Sequence, residues 1–165
     1  MSEHDLHQFV KSNFAVIIIS DTRDEKTDES GKIAKELITD AGHQVEAYSI
    51  IPNDKAQIRN AVKKLLQEPE VNVILTSGGT GISKRDITTD TLTDLFDKKI
   101  EGFGELFRKL SYEEVGEAAM ISRATAGATN GKLVFCLPGS KNAVKLALSK
   151  LILPGLGHLI KEANR

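Results

Sequence analysis

Val71-Asn72-Val73-Ile74-Leu75-Thr76-Ser77-Gly78-Gly79-Thr80-Gly81-Ile82-Ser83-Lys84-Arg85-Asp86 decides the architecture of this chain. An apolar run rich in β-branched residues, the composition of a buried strand, leads into a glycine-rich turn. Two cations and a carboxylate follow at once. Bare backbone N–H groups at the end of a buried strand suit an anion, because glycine admits φ > 0 and lets a ligand approach the main chain. Lys84 and Arg85 offer positive charge to phosphate. Asp86 would repel phosphate, so its presence makes sense with a Mg²⁺ ion between the two. The common nucleotide signatures do not fit: GxxxxGK[ST] is absent, since Lys84 follows Ser83, and no GxGxxG opens a helix after the first strand. A bare Gly-Gly-Thr-Gly also serves as a plain turn, and that reading stays open.

Outward from this stretch, the chain alternates strands and helices. Residues 14–20 form a second continuous apolar run, as in a parallel strand covered on both faces. Ligands of open α/β sheets lie beyond the carboxyl ends of the strands, which places Ser20, Asp21 and Arg23 like site residues. A simple turn accounts for Ser20 and Asp21 equally well. Ser30 reads as the N-cap of a helix over about 31–40, and His43 as a loop residue beyond it. A strand over 44–51 ends in Pro52-Asn53-Asp54 before a helix over 55–67, with Asp54 either a plain N-cap or a second acidic group of the site. The loop 78–89 leads to a helix capped by Thr88-Thr89-Asp90 and reaching about residue 96. Gly102-Phe103-Gly104-Glu105 precedes a helix reaching residue 116, and 117–123 reads as another short helix. Asn130-Gly131 is a hairpin turn between strands 124–129 and 132–137, so the sheet is mixed, with one antiparallel pair. Pro138-Gly139-Ser140 opens a helix over about 141–151, whose N-terminus offers N–H donors to an anion, and Pro154 starts the last helix. Four strand ends therefore carry small polar or acidic groups, and a right-handed α/β sheet aligns them along one edge.

The 165 residues point to one domain, 14–165, preceded by a polar N-terminal extension, 1–13. His4 and His7 lack further ligands nearby and read as part of a solvated tail. With 22 basic and 23 acidic side chains the net charge is −1, without the basic excess of a general nucleic-acid binder. The lone Cys136 forms no internal disulfide and reads as an inert core residue, which points to a reducing cytoplasm. No run of about 18 apolar residues marks a membrane span, and the start Met-Ser-Glu-His-Asp has no signal-peptide pattern.

Thr76-Ser77-Gly78-Gly79-Thr80-Gly81 with Arg85-Asp86 resembles the signature of the molybdopterin-binding fold family. Ile19-Ser20-Asp21, Glu101 to Glu105, Ser122-Arg123-Ala124 and Leu137 to Ser140 match as well, so the resemblance spans about residues 14–153. The block 107–116 is similar to the molybdenum cofactor biosynthesis protein B branch; the sister branch is the molybdopterin adenylyltransferases. The resemblance implies a cytoplasmic αβα sandwich with a mostly parallel sheet, assembled as a trimer or hexamer. It implies molybdopterin and ATP as ligands and Mg²⁺ as cofactor, adenylation of the molybdopterin phosphate with release of pyrophosphate, and contact with other enzymes of the pathway. On it, Asp86 is catalytic and holds Mg²⁺. Ser20, Asp21, Ser77, Gly78, Gly79, Thr80, Gly81, Gly102, Gly104, Glu105, Ser122, Arg123, Pro138, Gly139 and Ser140 bind the ligands. The family's second acid falls on Asn53 in an ungapped match, with Asp54 next to it as a stand-in. Arg85-Asp86 favours an adenylyltransferase, Asn53 a molybdopterin-binding or carrier protein without turnover.

Overall fold

A computed structural model describes residues 8–165; the histidines at 4 and 7 lie outside the described residues. Six strands form one sheet in the order β2-β1-β3-β6-β5-β4. They are β1 (Asn13–Ile19), β2 (Gln44–Ile51), β3 (Val73–Ser77), β4 (Lys98–Lys99), β5 (Thr125–Thr129) and β6 (Lys132–Leu137). β2, β1, β3 and β6 run parallel, and the expected antiparallel pair is β5 with β6. The two-residue strand β4, absent from the sequence reading, pairs antiparallel with β5 at the edge.

Helices cover both faces, as the unbroken apolar strands require. Phe14, Val16 and Ile18 of β1, with Leu133, Phe135 and Leu137 of β6, face one core, shared with α1 (Glu29–Asp40), α4 (Glu101–Val115), α5 (Lys141–Ala147) and α6 (Leu153–Ala163). Ala15, Ile17 and Ile19, with Val134 and Cys136, face the other, under α2 (Lys55–Leu66) and α3 (Thr88–Thr93). The period of two thus sends neighbouring residues of one strand into separate cores. Burial pushes the Cys136 thiol up to about 12, which keeps it unreactive.

α5 and α6 are one continuous helix, joined by a widened π-helical turn at Leu148–Ile152, where the sequence pattern placed a break before Pro154. The wide turn accommodates a proline that has no N–H to give back to the preceding turn. By length and composition alone this helix, Lys141–Ala163, would cross a bilayer. Val144, Leu148, Ile152, Leu156 and Ile160 are instead buried against the sheet.

Other elements differ from the pattern for local reasons. Asp28, not Ser30, caps α1: its carboxylate accepts the Gly31 N–H at 2.9 Å and the Tyr48 hydroxyl at 2.5 Å. Ser30 lies inside the helix and donates to the Gly139 carbonyl. α3 stops at Thr93, because the chain turns to give the Asp97 N–H to Ala128 in β5. α4 begins at Glu101 and contains Gly102 and Gly104. A Cβ on Gly104 would sit 2.7 Å from the Ala124 carbonyl oxygen, so glycine here lets the helix approach β5 closely. Residues 116–121 of the second short helix form a 3₁₀ turn, Gly116–Ile121.

His43 lies in the loop between α1 and β2, as the sequence reads, and is buried there. Its Nδ1 accepts the Ser12 N–H at 3.2 Å, and Phe9 stacks on the ring with centroids 5.0 Å apart. Burial lowers its pKa from the ordinary 6.5, with no neighbouring charge contributing. The unfolded chain therefore binds this proton more readily than the folded one. Stability from this site is complete above pH 6.5 and falls as the pH drops from there toward the depressed folded value. Thermal melts between pH 7.5 and 5 test this: the wild type loses stability on acidification, and His43→Asn, whose Oδ1 still accepts from Ser12, loses less.

Candidate functional site

The register brings the tips of three strands level, since Ser77 pairs with Ile18 of β1 on one side and Leu137 of β6 on the other. Gly78 continues this convergence with φ +115°, its N–H giving a 2.8 Å bond to the Leu137 carbonyl. A Cβ there would stand 2.5 Å from the Ile19 carbonyl oxygen. Gly79, at φ +77°, turns the chain over α3, and its Cβ would stand 2.2 Å from Thr88 Oγ1. Among the described residues, the Gly79 and Thr80 N–H groups donate to no protein acceptor. The Ser77 hydroxyl donates to the Pro138 carbonyl at 3.0 Å and ties the loop to the β6 tip.

Arg123 clamps this loop from the other side. Its N–H reaches the Thr80 carbonyl at 2.7 Å and its Nε the Gly81 carbonyl at 2.7 Å. One terminal nitrogen donates to the Asp86 carbonyl at 2.9 Å, and the two together hold the Asp90 carboxylate in a fork at 2.8 and 2.9 Å. The guanidinium is thus engaged by the protein itself and lines neither site cavity. Asp86 folds back toward the glycine turn, its Oδ2 accepting the Ser83 N–H at 3.0 Å. Burial acts to raise its pKa, but hydrogen bonds from Ser83 and Gly81 and the charge of Arg123 outweigh it. The net shift is downward, so Asp86 stays ionised through the neutral range.

Two cavities meet at Gly79 and Asp86. The first, about 290 Å³, lies between the glycine turn, α4, the 3₁₀ turn and Pro138-Gly139-Ser140 at the start of α5. Phe107, Val115, Ile121 and Leu146 give it an apolar wall, and Ser111, Glu114, Ser122 and Asn142 give it polar groups. The second, about 250 Å³, is lined by Ile19, Ser20, Asp21, Thr22, Asn53 and Arg85 besides the shared pair.

In the second cavity Asp21 accepts the Asn53 N–H at 2.9 Å and forms an ion pair with Arg85. The Asn53 amide nitrogen donates to the Arg85 carbonyl at 2.7 Å, while its buried Oδ1 has no partner among the described residues. Asp54 lies outside both cavities and caps α2, accepting the Gln57 N–H at 2.9 Å. Of the two openings left by the sequence, the turn therefore offers Asn53 to the cavity and Asp54 to the helix. Arg23 reaches the Gly139 carbonyl at 2.9 Å and secures the β6 tip from below.

Gly102, Gly104 and Glu105 line neither cavity; they open α4, whose approach to β5 needs Gly104. Phe107, Ser111 and Glu114 belong to the block 107–116 that carries the resemblance but were not named as site residues, yet their spacing of four and three puts them on one helical face. That spacing is the signal available before folding.

No three His, Cys, Asp or Glu side chains cluster as a metal cage among the described residues. Mg²⁺ asks for less, one or two carboxylates completed by water and substrate oxygens. Asp86, Asp21 and Asn53 around the second cavity form an all-oxygen set of that kind.

The family described as "Probable molybdopterin binding domain" matches residues 15–158. Molybdenum cofactor biosynthesis protein B of Bacillus cereus is 48% identical over 166 residues, covering 100% of this chain and 98% of that protein. A crystal structure of a molybdenum cofactor biosynthesis protein B superposes with a TM-score of 0.92 at 49% identity, covering 94% of this chain and 98% of the other. The tungsten cofactor synthesizing protein MoaB of Pyrococcus furiosus superposes with a TM-score of 0.85 at 39% identity, with the same coverage, 94% and 98%.

Replacing Gly79 with Ala tests the turn. The left-handed φ and the overlap with Thr88 Oγ1 together predict a loss of about 1–3 kcal/mol in denaturant-monitored stability. Phosphate-ligand affinity, read by calorimetry, falls with it, whereas Gly102→Ala, in open space within α4, leaves affinity unchanged and raises stability by up to about 1 kcal/mol.

Proposed function

The chain belongs to the MoaB/Mog family of molybdopterin-binding domains, and from that premise we propose that it serves molybdenum cofactor biosynthesis by binding molybdopterin and adenylylating its phosphate with ATP. The observation that carries this reading is the meeting of two cavities at Gly79 and Asp86. Two ligands seated in them would touch at the glycine turn. A flat pterin suits the first cavity, with Phe107 and Leu146 against its rings and Ser111, Glu114 and Ser122 for its polar edge. Its phosphate then lies by the N–H groups of Gly79 and Thr80. ATP enters the second cavity beside Ser20, Asp21 and Asn53.

The reaction is a nucleotidyl transfer. A phosphate oxygen of molybdopterin attacks the α-phosphorus of ATP. As that P–O bond forms, the bond from the α-phosphorus to the α–β bridging oxygen breaks, and pyrophosphate leaves with the electron pair. No protein nucleophile is needed; the chain's task is to hold two polyanions in line and offset their repulsion. The glycine-turn N–H groups bind one phosphate without bringing in a mobile side chain. Asp86, kept ionised by Ser83, Gly81 and Arg123, would hold Mg²⁺ together with Asp21. The ion would supply charge neutralisation between the two substrates.

Exposed apolar side chains at Leu106, Tyr112, Val115, Met120 and Ile121 support assembly into a trimer or hexamer. The lone buried cysteine fits a cytoplasmic location.

Asn53 favours a second reading, a molybdopterin carrier without turnover, since a neutral amide stands where the family pattern has an acid. Incubation of the purified protein with molybdopterin, Mg²⁺ and ATP separates the two. Adenylyl-molybdopterin by mass and released pyrophosphate support transfer; retention of unmodified molybdopterin supports the carrier. If transfer operates, Asp86→Asn lowers its rate by about 10²-fold or more, while molybdopterin affinity stays within a few-fold. An unchanged rate removes Asp86 from the mechanism.

A further inference from the structure

We propose that the Arg85–Asp21 ion pair is an exchangeable latch across the second cavity: an incoming polyphosphate takes Arg85 as its counter-ion and so releases Asp21 to a divalent cation. This deepens the adenylyl-transfer reading and rests on it for the identity of the anion.

Four features carry the inference. The pair spans the cavity, joining the tip of β1 to the loop after β3. Its Arg85 side chain is 76% exposed and its Asp21 side chain 40%, so water screens the attraction and an ion of higher charge density can compete for the guanidinium. The Arg85 main chain is held independently, its carbonyl by Asn53 Nδ2 and its N–H by Ser83 Oγ. The guanidinium can therefore change partners while its backbone stays in place. Finally, the Asn53 N–H keeps Asp21 Oδ1 aimed at the same turn, while Oδ2 faces Arg85.

The charge arrangement gives the exchange its consequence. With the latch closed, Asp21 is ion-paired with Arg85, and Asp86, held by Ser83 and Gly81 and within the field of Arg123, is the carboxylate of the cavity without a direct ion pair. A cation then finds one carboxylate that is not ion-paired. With the latch open, it finds Asp21, Asp86 and the phosphate oxygens together, a donor set matched to a hard divalent ion. Anion and cation thus bind synergistically, and each raises the other's affinity by the same factor. In the absence of nucleotide, Arg85 keeps the cation out. Arg85 serves as a positioning residue here, acting on the cation through Asp21.

The test uses the intact chain, with Mn²⁺ followed by electron paramagnetic resonance and inorganic tripolyphosphate or ATP followed by calorimetry. In Arg85→Gln, tripolyphosphate affinity falls about tenfold, the scale of one charge-assisted phosphate contact. Mn²⁺ affinity measured without any phosphate rises, because Asp21 has been released. Removal of a nearby positive charge would raise it in any case, so the decisive comparison is made in an Asp21→Asn background. There the latch has nothing to release, and adding Arg85→Gln raises Mn²⁺ affinity only by the through-space loss of charge, a smaller rise than with Asp21 present. An equal rise in both backgrounds overturns the latch, as does an undiminished tripolyphosphate affinity in Arg85→Gln. None of these readouts involves molybdopterin or turnover. Wild-type protein that couples Mn²⁺ to tripolyphosphate but makes no adenylyl-molybdopterin keeps the latch and loses the transferase reading. Wild-type protein that makes the product while the two backgrounds respond alike does the reverse.

Discussion

The close passage of the Gly78 backbone between the tips of β1 and β6 is the constraint on which the rest depends. Its N–H is given to Leu137 and its Cα faces the Ile19 carbonyl, with no room for a Cβ on that side. Three strand ends can meet at one level only because this residue has no side chain. The chain leaves the junction with a left-handed φ and turns again at Gly79 over Thr88, and the Gly79 and Thr80 N–H groups donate to no acceptor among the described residues. A turn built this way would have little to reorganise around an anion, since its N–H groups are main chain held by main chain.

Charge around the turn is divided between support and function. Arg123 neutralises Asp90 and binds the carbonyls of Gly81 and Asp86, so this cation works inward on the loop. Arg85 works at the surface against Asp21. Asp86 lies between these two arginines, stripped of some water yet held ionised by Ser83 and Gly81. A carboxylate kept charged next to free N–H groups presents opposite partial charges side by side, the pattern expected where a phosphate and a cation are neighbours.

Much of this was legible in the order of residues. Runs read at 14–20, 71–77 and 132–137, each ending in or followed by small polar residues, marked the parallel strands β1, β3 and β6 and the edge where a site belongs. The Asn130-Gly131 turn marked the antiparallel pair, and Asn130 does take a positive φ of 52°. Less legible were features set by distant partners. Asp28 caps α1 in place of Ser30 because Tyr48 from β2 shares its carboxylate. His43 is buried because Phe9 and Ser12 fold over it. Gly102 to Glu105, which resembled ligand-binding residues, turned out to begin a helix packed on β5.

The sequence by itself determined which segments are buried strands, which residues end them, and that those ends gather carboxylates, hydroxyls and glycines. These follow from local composition and period, which need no partner to be read. Only the tertiary structure decided how the charges are shared: that Arg123 is engaged with Asp90, that Arg85 faces Asp21, and that Asn53 enters the cavity while Asp54 caps a helix. Every one of those pairings except the Asp54 cap joins residues more than thirty positions apart. No local rule of spacing specifies such partners; they are chosen when the sheet brings its strand tips together and each charge takes the nearest counter-charge left unsatisfied.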